Sequence, residues 1–425
     1  MLRSVLGSAA IKVANALLGF GVAVVLARAL GADGYGVYST AFVIASVLAI
    51  LVQFGLPNLV LRETAAAEAD GDWARMKAIW VWATRGALLF SLAVLAIAAA
   101  TGILLRGRYA ETDLWTFFLA LGLVPLVALG ALRAAALRGL RHIVLSQIPE
   151  LVLKPGLLLL LALLLGAAVP AEPAYAMLAQ LVAAAAAFAA GAVLLWRRMP
   201  EGVRRAARSS VPSRGWWMAS SAMAVSAGMN QINNYADILI LGLYRPVEEI
   251  GVYRVAYQVS MLALFGQQAV AMVFTPRFVR LYQQGDTDTL QRLVTLMARL
   301  SLLVALPLFF LVAFFGDTIF TILFGLEFSE AHAVAVVLVL AQVITSYFAA
   351  IGYLLNMCGQ EKSMAKILIL TAGLNILMNF VMIPVAGMMG AALATLLSLL
   401  VWNLTAWRVG RLRLGLDCSA ASLVR

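Results

Sequence analysis

The chain is built from apolar runs long enough to cross a bilayer, and this restricts it to very few folds. A helix rises about 1.5 Å per residue, so about 18 or more apolar residues are enough to span the hydrocarbon core. In lipid the backbone must satisfy its own hydrogen bonds, which leaves helices as the way to use such runs. About twelve occur. Their cores lie near 9–30, 37–60, 78–104, 114–136, 144–167 and 174–196, then 216–243, 250–275, 292–315, 331–355, 364–383 and 387–408. The pattern predicts an all-α polytopic membrane protein. Arg3 and Lys12 precede an apolar run that continues past Val25 with no small-residue cleavage site, so the first run reads as an uncleaved helix.

The net charge of +11 would suggest nucleic acid in a soluble protein, but 64% of the residues are hydrophobic and only 12% charged. Soluble domains sit near 45–50% and about 25%. The positive residues fall in short loops and at helix ends, so they report topology and not a nucleic-acid partner. With the N-terminus inside, the inner ends collect Arg62, Arg75, Lys77, Arg138, Arg141, the cluster over 197–214, Arg277, Arg280, Lys362, Lys366 and the tail from Arg408 to Arg413. The outer side keeps Arg28, Arg106, Arg108, Arg245 and Arg254, with Asp33, Glu111, Asp113, Glu248, Glu249 and Glu327 among its acids. Both termini are therefore expected inside. Cys358 and Cys418 read as free thiols, and His142 and His332 have no companions at ligand spacing, so no metal site is expected. No GxxxxGK[ST] phosphate loop is present and no cofactor is implied.

The two halves repeat. Gly36-Val37-Tyr38 returns as Gly251-Val252-Tyr253, an offset of 215 residues; Arg85 matches Arg299 and Pro170 matches Pro384 at an offset of 214. AEADGDWARM, after Arg62, resembles QQGDTDTLQR, after Arg280. Six spans per copy is an even number, so the copies share one orientation and form a parallel repeat with the site expected between them. The expected lobes are residues 1–200 and 201–425.

One stretch departs from the apolar rule. Ser226, Asn230, Asn233, Asn234 and Asp237 recur at spacings of three and four, which lines one helix face. Arg254, Gln258, Met261, Phe265 and Gln268 make a second stripe on the next span. In the first half, Lys154 lies near the middle of the fifth span, with Glu150 one turn away and Gln147 on the same face. An ionisable group at that depth is a functional candidate; the competing reading is a self-neutralising Glu150–Lys154 pair at i,i+4. Asp237 and Arg254 fall at similar depth on consecutive spans, so they either bridge two helices or act on cargo or a coupling ion. Arg28 is near the end of the first span. Asn375 and Asn379, one turn apart, add amides, and Tyr235, Tyr253 and Tyr257 are placed either to stack on sugars or to anchor at the interface. Gly19, Ala23, Ala27 and Gly31 make a flat ridge for close packing, and Pro125, Pro155 and Pro307 are expected to bend their spans.

At ARALGADGYGVYSTAF (Ala27–Phe42), its echo ADILILGLYRPVEEIGVYRVAYQ (Ala236–Gln258) and GAALATLLS (Gly390–Ser398), the chain resembles the polysaccharide-export branch of the multidrug/oligosaccharidyl-lipid/polysaccharide (MOP) transporter superfamily, the Wzx-type flippases. The likeness covers essentially the whole chain. It implies two six-helix lobes in a V around a cationic central cavity, alternating access, and translocation of a polyisoprenyl-diphosphate-linked oligosaccharide across the bacterial inner membrane for surface polysaccharide biosynthesis. Membrane lipids and polysaccharide assembly proteins would be its other partners. Such a headgroup is anionic and hydroxylated, so Lys154, Arg254 and Arg28 are candidates for the diphosphate and Asn230, Asn234 and Gln258 for the sugars. The alternative within the same fold is a cation-coupled drug exporter, with Asp237 or Glu150 as the coupling carboxylate. A membrane enzyme would need a large outer loop carrying catalytic residues, and the outer connections here are short.

Overall fold

The described residues of the computed structural model are 2–104, 110–168, 172–207, 215–221, 223–224 and 235–422, and they contain helices and turns with no strand. In the first half, α1 is Leu2–Gln53, α2 Leu56–Asp70, α3 Trp73–Leu104, α4 Glu111–Leu121 and α5 Leu123–Gly139. They are followed by α6 (Ile143–Ile148), a π-helical turn at Pro149–Leu153, α7 (Lys154–Ala168), α8 (Pro173–Arg198) and α9 (Glu201–Arg205). In the second half, α10 is Ala236–Tyr244, α11 Val247–Gln284, α12 Thr287–Leu323, α13 Ala331–Tyr347, α14 Ile351–Met357 and α15 Glu361–Leu414.

Among the described residues eight helices are long and apolar enough to cross a membrane, and the pair α13 and α14, bent by 46°, makes a ninth. Breaks at Gly31 and Gly387 divide α1 and α15 into two halves each, matching the first and second and the eleventh and twelfth expected spans. Eleven spans are thereby accounted for. The seventh, expected at 216–243, is described only in part, and Ser226, Asn230, Asn233 and Asn234 lie outside the described residues.

The interruptions have local causes. Gly31 and Gly387 both hold positive φ, 70° and 55°, a backbone state open to glycine at little steric penalty. Each break frees N–H groups where the helix restarts, and a carboxylate meets them: Glu327 Oε2 accepts from Ala32 N at 2.8 Å and Glu249 Oε2 from Met388 N at 3.1 Å. On the other side of the second break, Arg245 donates to the carbonyls of Ile383 (3.3 Å) and Pro384 (3.1 Å). The expected span 37–60 is interrupted at Phe54 and Gly55, both at positive φ, and resumes as α2. The span 114–136 is split at Gly122, three residues before Pro125. Pro307 lies inside α12, which runs on without interruption.

The chain divides into two compact units, Met1–Leu30 with Val37–Tyr235, and Gly31–Gly36 with Ala236–Arg425. The repeat is visible inside each as hydrogen bonds 214 residues apart. In the first unit Gly71, at φ 68°, caps α2, Asp72 N donates to Ala67 O, and Asp72 Oδ1 accepts from Arg75 N. In the second, Gly285 at φ 71° caps α11, Asp286 N donates to Leu281 O, and Asp286 Oδ1 accepts from Thr289 N. The similarity between AEADGDWARM and QQGDTDTLQR is thus one capping turn built twice. The repeated Gly-Val-Tyr has a packing role. A Cβ on Gly36 would strike the Val247 carbonyl and one on Gly251 the Ala32 carbonyl, so the two glycines let these backbones touch.

Candidate functional site

Burying an acid among apolar helices is expensive unless its oxygens are matched by donors. Asp237, in the first turn of α10, is 7% exposed and is matched completely. Its Oδ2 accepts from Tyr253 Oη and Thr395 Oγ1, each at 2.7 Å, and its Oδ1 from Asn379 Nδ2 at 2.7 Å. Asn379 Nδ2 also reaches Asn375 Oδ1 at 3.1 Å. Asn379 and Thr395 lie on opposite sides of the Gly387 break, so the fold of α15 back on itself brings both to one carboxylate.

This network is not the helix bridge to Arg254 that was one of the two readings of Asp237. No ion pair joins them; Arg254 is half-buried, with its guanidinium 5.7 Å from the Tyr257 ring centroid. Tyr253 is fully buried beneath Asp237, which removes it from sugar stacking, and Asn375 and Asn379 are buried on the same carboxylate and do not line an open cavity. One carboxylate surrounded by hydroxyl and amide oxygens, including a buried Asn379 Oδ1 with no partner, has the chemistry to hold a proton or a hard cation. Among the described residues no group of three or more His, Cys, Asp or Glu could hold a metal ion.

The second polar cluster lies in the first unit. Arg133, 5% exposed on α5, donates from Nη2 to Glu150 Oε1 at 3.1 Å and from Nη1 to the Ala187 and Phe188 carbonyls of α8 at 3.1 and 2.8 Å. Gly191 and Gly130 leave the room: a Cβ on the first would overlap the guanidinium, and one on the second the Glu150 carboxylate. The competing reading of a Glu150–Lys154 pair is therefore not realised, and Glu150 pairs with Arg133. The reason is the π-helical turn, where Lys154 N bonds to Pro149 O five residues back, so residues four apart no longer stack on one face. Lys154 is half-buried and has no hydrogen-bond or ion-pair partner among the described residues. Arg28 is exposed and Gln258 half-buried, also without hydrogen-bond or ion-pair partners there. Asn230 and Asn234 lie outside the described residues.

Arg133 lies near the inner end of its span, where a positive residue reads as one more report of topology, and its burial was missed. Its position inside an apolar run, twelve residues after Leu121, was the available signal. Glu63 was missed as well. It is buried on α2 and held by Arg62 at 2.9 Å and Arg75 at 2.5 Å. Burial by itself would raise its pKa; the hydrogen bonds and charge of Arg75 and Arg62 outweigh this and hold the carboxyl below its ordinary value. Cys358 and Cys418 are free and buried, as expected, and burial pushes the Cys358 thiol up to about 11.

The helical repeat, the glycine breaks and the buried polar clusters define a polytopic protein with the fold of the MOP-superfamily transporters. A multidrug resistance MATE family transporter in an inward-facing conformation superposes with a TM-score of 0.79 at 14% identity, covering 96% of this chain and 98% of that one. The lipid II flippase MurJ, inward closed, gives 0.73 at 13% identity, covering 94% and 87%. The chain belongs to the polysaccharide biosynthesis protein family, whose model matches residues 1–282; the MatE family model matches residues 222–381. It is similar to the probable low-salt glycan biosynthesis flippase Agl15 of Haloferax volcanii, 28% identical over 168 residues, which are 40% of this chain and 36% of that protein. The probable flippase AglR of the same organism is 26% identical over 178 residues, 41% and 37%. The matched stretches span less than two fifths of the length of these two relatives.

Proposed function

We propose that the protein is a flippase moving polyisoprenyl-diphosphate-linked oligosaccharide units across the cytoplasmic membrane by alternating access, for surface glycan assembly. The observation that carries this reading is the polysaccharide biosynthesis match over residues 1–282, and the names of the two Haloferax relatives agree with it. The chemistry is compatible. Among the described residues Lys154 has no hydrogen-bond or ion-pair partner and Arg254 has an aromatic face beside it and no ion pair, so both cations retain N–H donors for phosphate oxygens. The transported glycolipid and bilayer lipids are the partners, with polysaccharide assembly proteins downstream. The lobes act as residues 1–200 and 201–425, and both termini lie inside, on the side where Arg and Lys collect.

The Asp237 network supports a coupling role in the same cycle. A carboxylate matched by Tyr253, Asn379 and Thr395 exchanges a proton or a monovalent cation when α10, α11 and α15 shift against one another. The same network and the MatE match over 222–381 favour the second reading, a cation-coupled exporter of small molecules. Comparing membrane lipids with and without the protein separates the two. Accumulated polyisoprenyl-diphosphate oligosaccharide in the deletion strain is the expected result, and unchanged lipids with altered drug sensitivity would overturn the flippase.

A further inference from the structure

We propose that a cavity inside the first unit, lined by Arg85 and Arg133, binds the phosphate of an anionic glycerophospholipid headgroup. The cavity measures about 400 Å³, with Val60, Trp80, Thr84 and Leu195 among its walls. Small-molecule sites run from about 300 to 1,000 Å³. It is therefore large enough for a headgroup. The site is separate from the flippase reading and does not rest on it.

The repeat shows what such a place looks like when it is filled. An offset of 214 carries Val60, Trp80, Ala83 and Ala136 onto Phe274, Val294, Met297 and Ala350. In the second unit these four belong to one buried cluster that also contains Leu416 and Cys418 of the chain's own tail. The counterpart of Arg85 is Arg299, and that tail holds its guanidinium at two nitrogens. Nε donates to Ala420 O at 3.0 Å and Nη2 to Ser422 O at 3.1 Å. Ala420 N in turn donates to Tyr347 O at 3.1 Å, and Tyr347 stands at the offset position of Arg133. The second unit thus closes the space with apolar side chains below and acceptor oxygens on the arginine.

Among the described residues of the first unit, no acceptor oxygen closes the space on its arginine. Residues 201–207, at the offset of the tail, supply the apolar part of the closure, Val203 clustering with Met76 and Leu140 beside Trp80 and Leu195, but the carbonyls of Arg204 and Ala206 accept from Lys77 Nζ and not from Arg85. Arg85 is exposed and has no hydrogen-bond or ion-pair partner among the described residues. Arg133, though 95% buried, keeps a buried Nε–H without an acceptor. An arginine side chain offers donors only, so what completes this space must bring acceptor oxygens. The Arg85 guanidinium and the Arg133 Nε–H above apolar walls suit a phosphodiester attached to hydrocarbon, since the planar fork of Arg85 matches phosphate geometry and the walls take the carbon atoms. The same end of the unit carries Arg62, Arg75, Lys77, Arg138 and Arg141, which would draw anionic headgroups toward it. A free phosphate ion shares the chemistry but leaves the apolar walls unused.

Native mass spectrometry of the full chain in neutral detergent tests this, by titration with phosphatidylglycerol, phosphatidylcholine or inorganic phosphate. One phosphatidylglycerol should bind in preference to phosphatidylcholine, and Arg85→Gln should weaken it at least about tenfold, the scale of one lost charged hydrogen bond. Because Arg85 is exposed and unpartnered, that variant leaves the fold intact. Thr84→Trp, which fills the cavity without touching either charge, should weaken binding as well. Arg299→Gln should leave it unchanged, because its site is already closed by the tail. Equal affinity in wild type and Arg85→Gln, or an equal loss in Arg299→Gln, would overturn the site. Arg85-dependent binding of inorganic phosphate without lipid would overturn the lipid as its source.

Discussion

Removing the Asp237 carboxylate while leaving its donors in place is the most direct test of the second unit's polar cluster. In Asp237→Ala, Tyr253 Oη and Thr395 Oγ1 lose the acceptor recorded for each, while Asn379 Nδ2 retains Asn375 O at 3.0 Å and Asn375 Oδ1 at 3.1 Å. Two buried donors left unmatched cost about 1–3 kcal/mol each, so the variant should lose about 2–6 kcal/mol. For a unit of this size that corresponds to a fall in unfolding temperature on the order of 10 °C. The effect is confined to the second unit, so limited proteolysis during heating should show Ala236–Arg425 opening first. Asp237→Asn keeps the volume and one oxygen and should recover most of the loss. It nevertheless cannot exchange a cation, so transport should remain absent in a protein that is nearly as stable as wild type. Two outcomes would refute the reasoning. A melting temperature within about 2 °C of wild type in Asp237→Ala would mean that water reaches these donors, and full transport by Asp237→Asn would remove the carboxylate from coupling.

Three other perturbations have defined outcomes. Removing either member of the Arg133–Glu150 pair should destabilise the first unit by about 3 kcal/mol, below the upper range for buried pairs because Glu150 is 31% exposed, and the double replacement with Met should recover much of it; additive losses in thermal unfolding would show that the two do not interact. Glu63, whose folded pKa lies below its unfolded value, contributes stability that is complete above the unfolded value of about 4.3 and is lost as pH falls through the folded one. Glu63→Gln should therefore flatten the acid limb of the stability profile below about pH 4.3 while changing its shape little near neutrality, and an unchanged acid limb would sink that account. Lys154→Ala, expressed normally, should abolish glycolipid translocation; unchanged surface polysaccharide would exclude Lys154 from the site.

Helix content, the spans and the repeat were legible in the sequence because each depends on a pattern along the chain. Apolar length reports bilayer crossing, and the 214-residue offset survives as matched capping turns at Gly71 and Gly285. The polar exceptions inside apolar runs were legible too, which is how Asp237, Glu150 and Lys154 were singled out. Their partners were not. An i,i+4 rule assumes an unbroken α-helix, and the π-helical turn at Pro149–Leu153 voids it just where Glu150 and Lys154 stand. The bridging reading gave Asp237 the wrong neighbour because its acceptor needs are met by Asn379 and Thr395, 142 and 158 residues away, brought together by a glycine break whose fold-back no local period encodes.

Sequence alone determined that this is a doubled helical membrane protein with ionisable groups inside its apolar runs. Only the tertiary structure decided which of those groups are already satisfied. Asp237 and Glu150 are tied to neighbours, whereas Lys154 and Arg85 keep their donors unmatched among the described residues. The physical reason is that hydrophobicity acts through composition along the chain, whereas a buried hydrogen bond depends on atoms meeting within about 3 Å across helices distant in sequence.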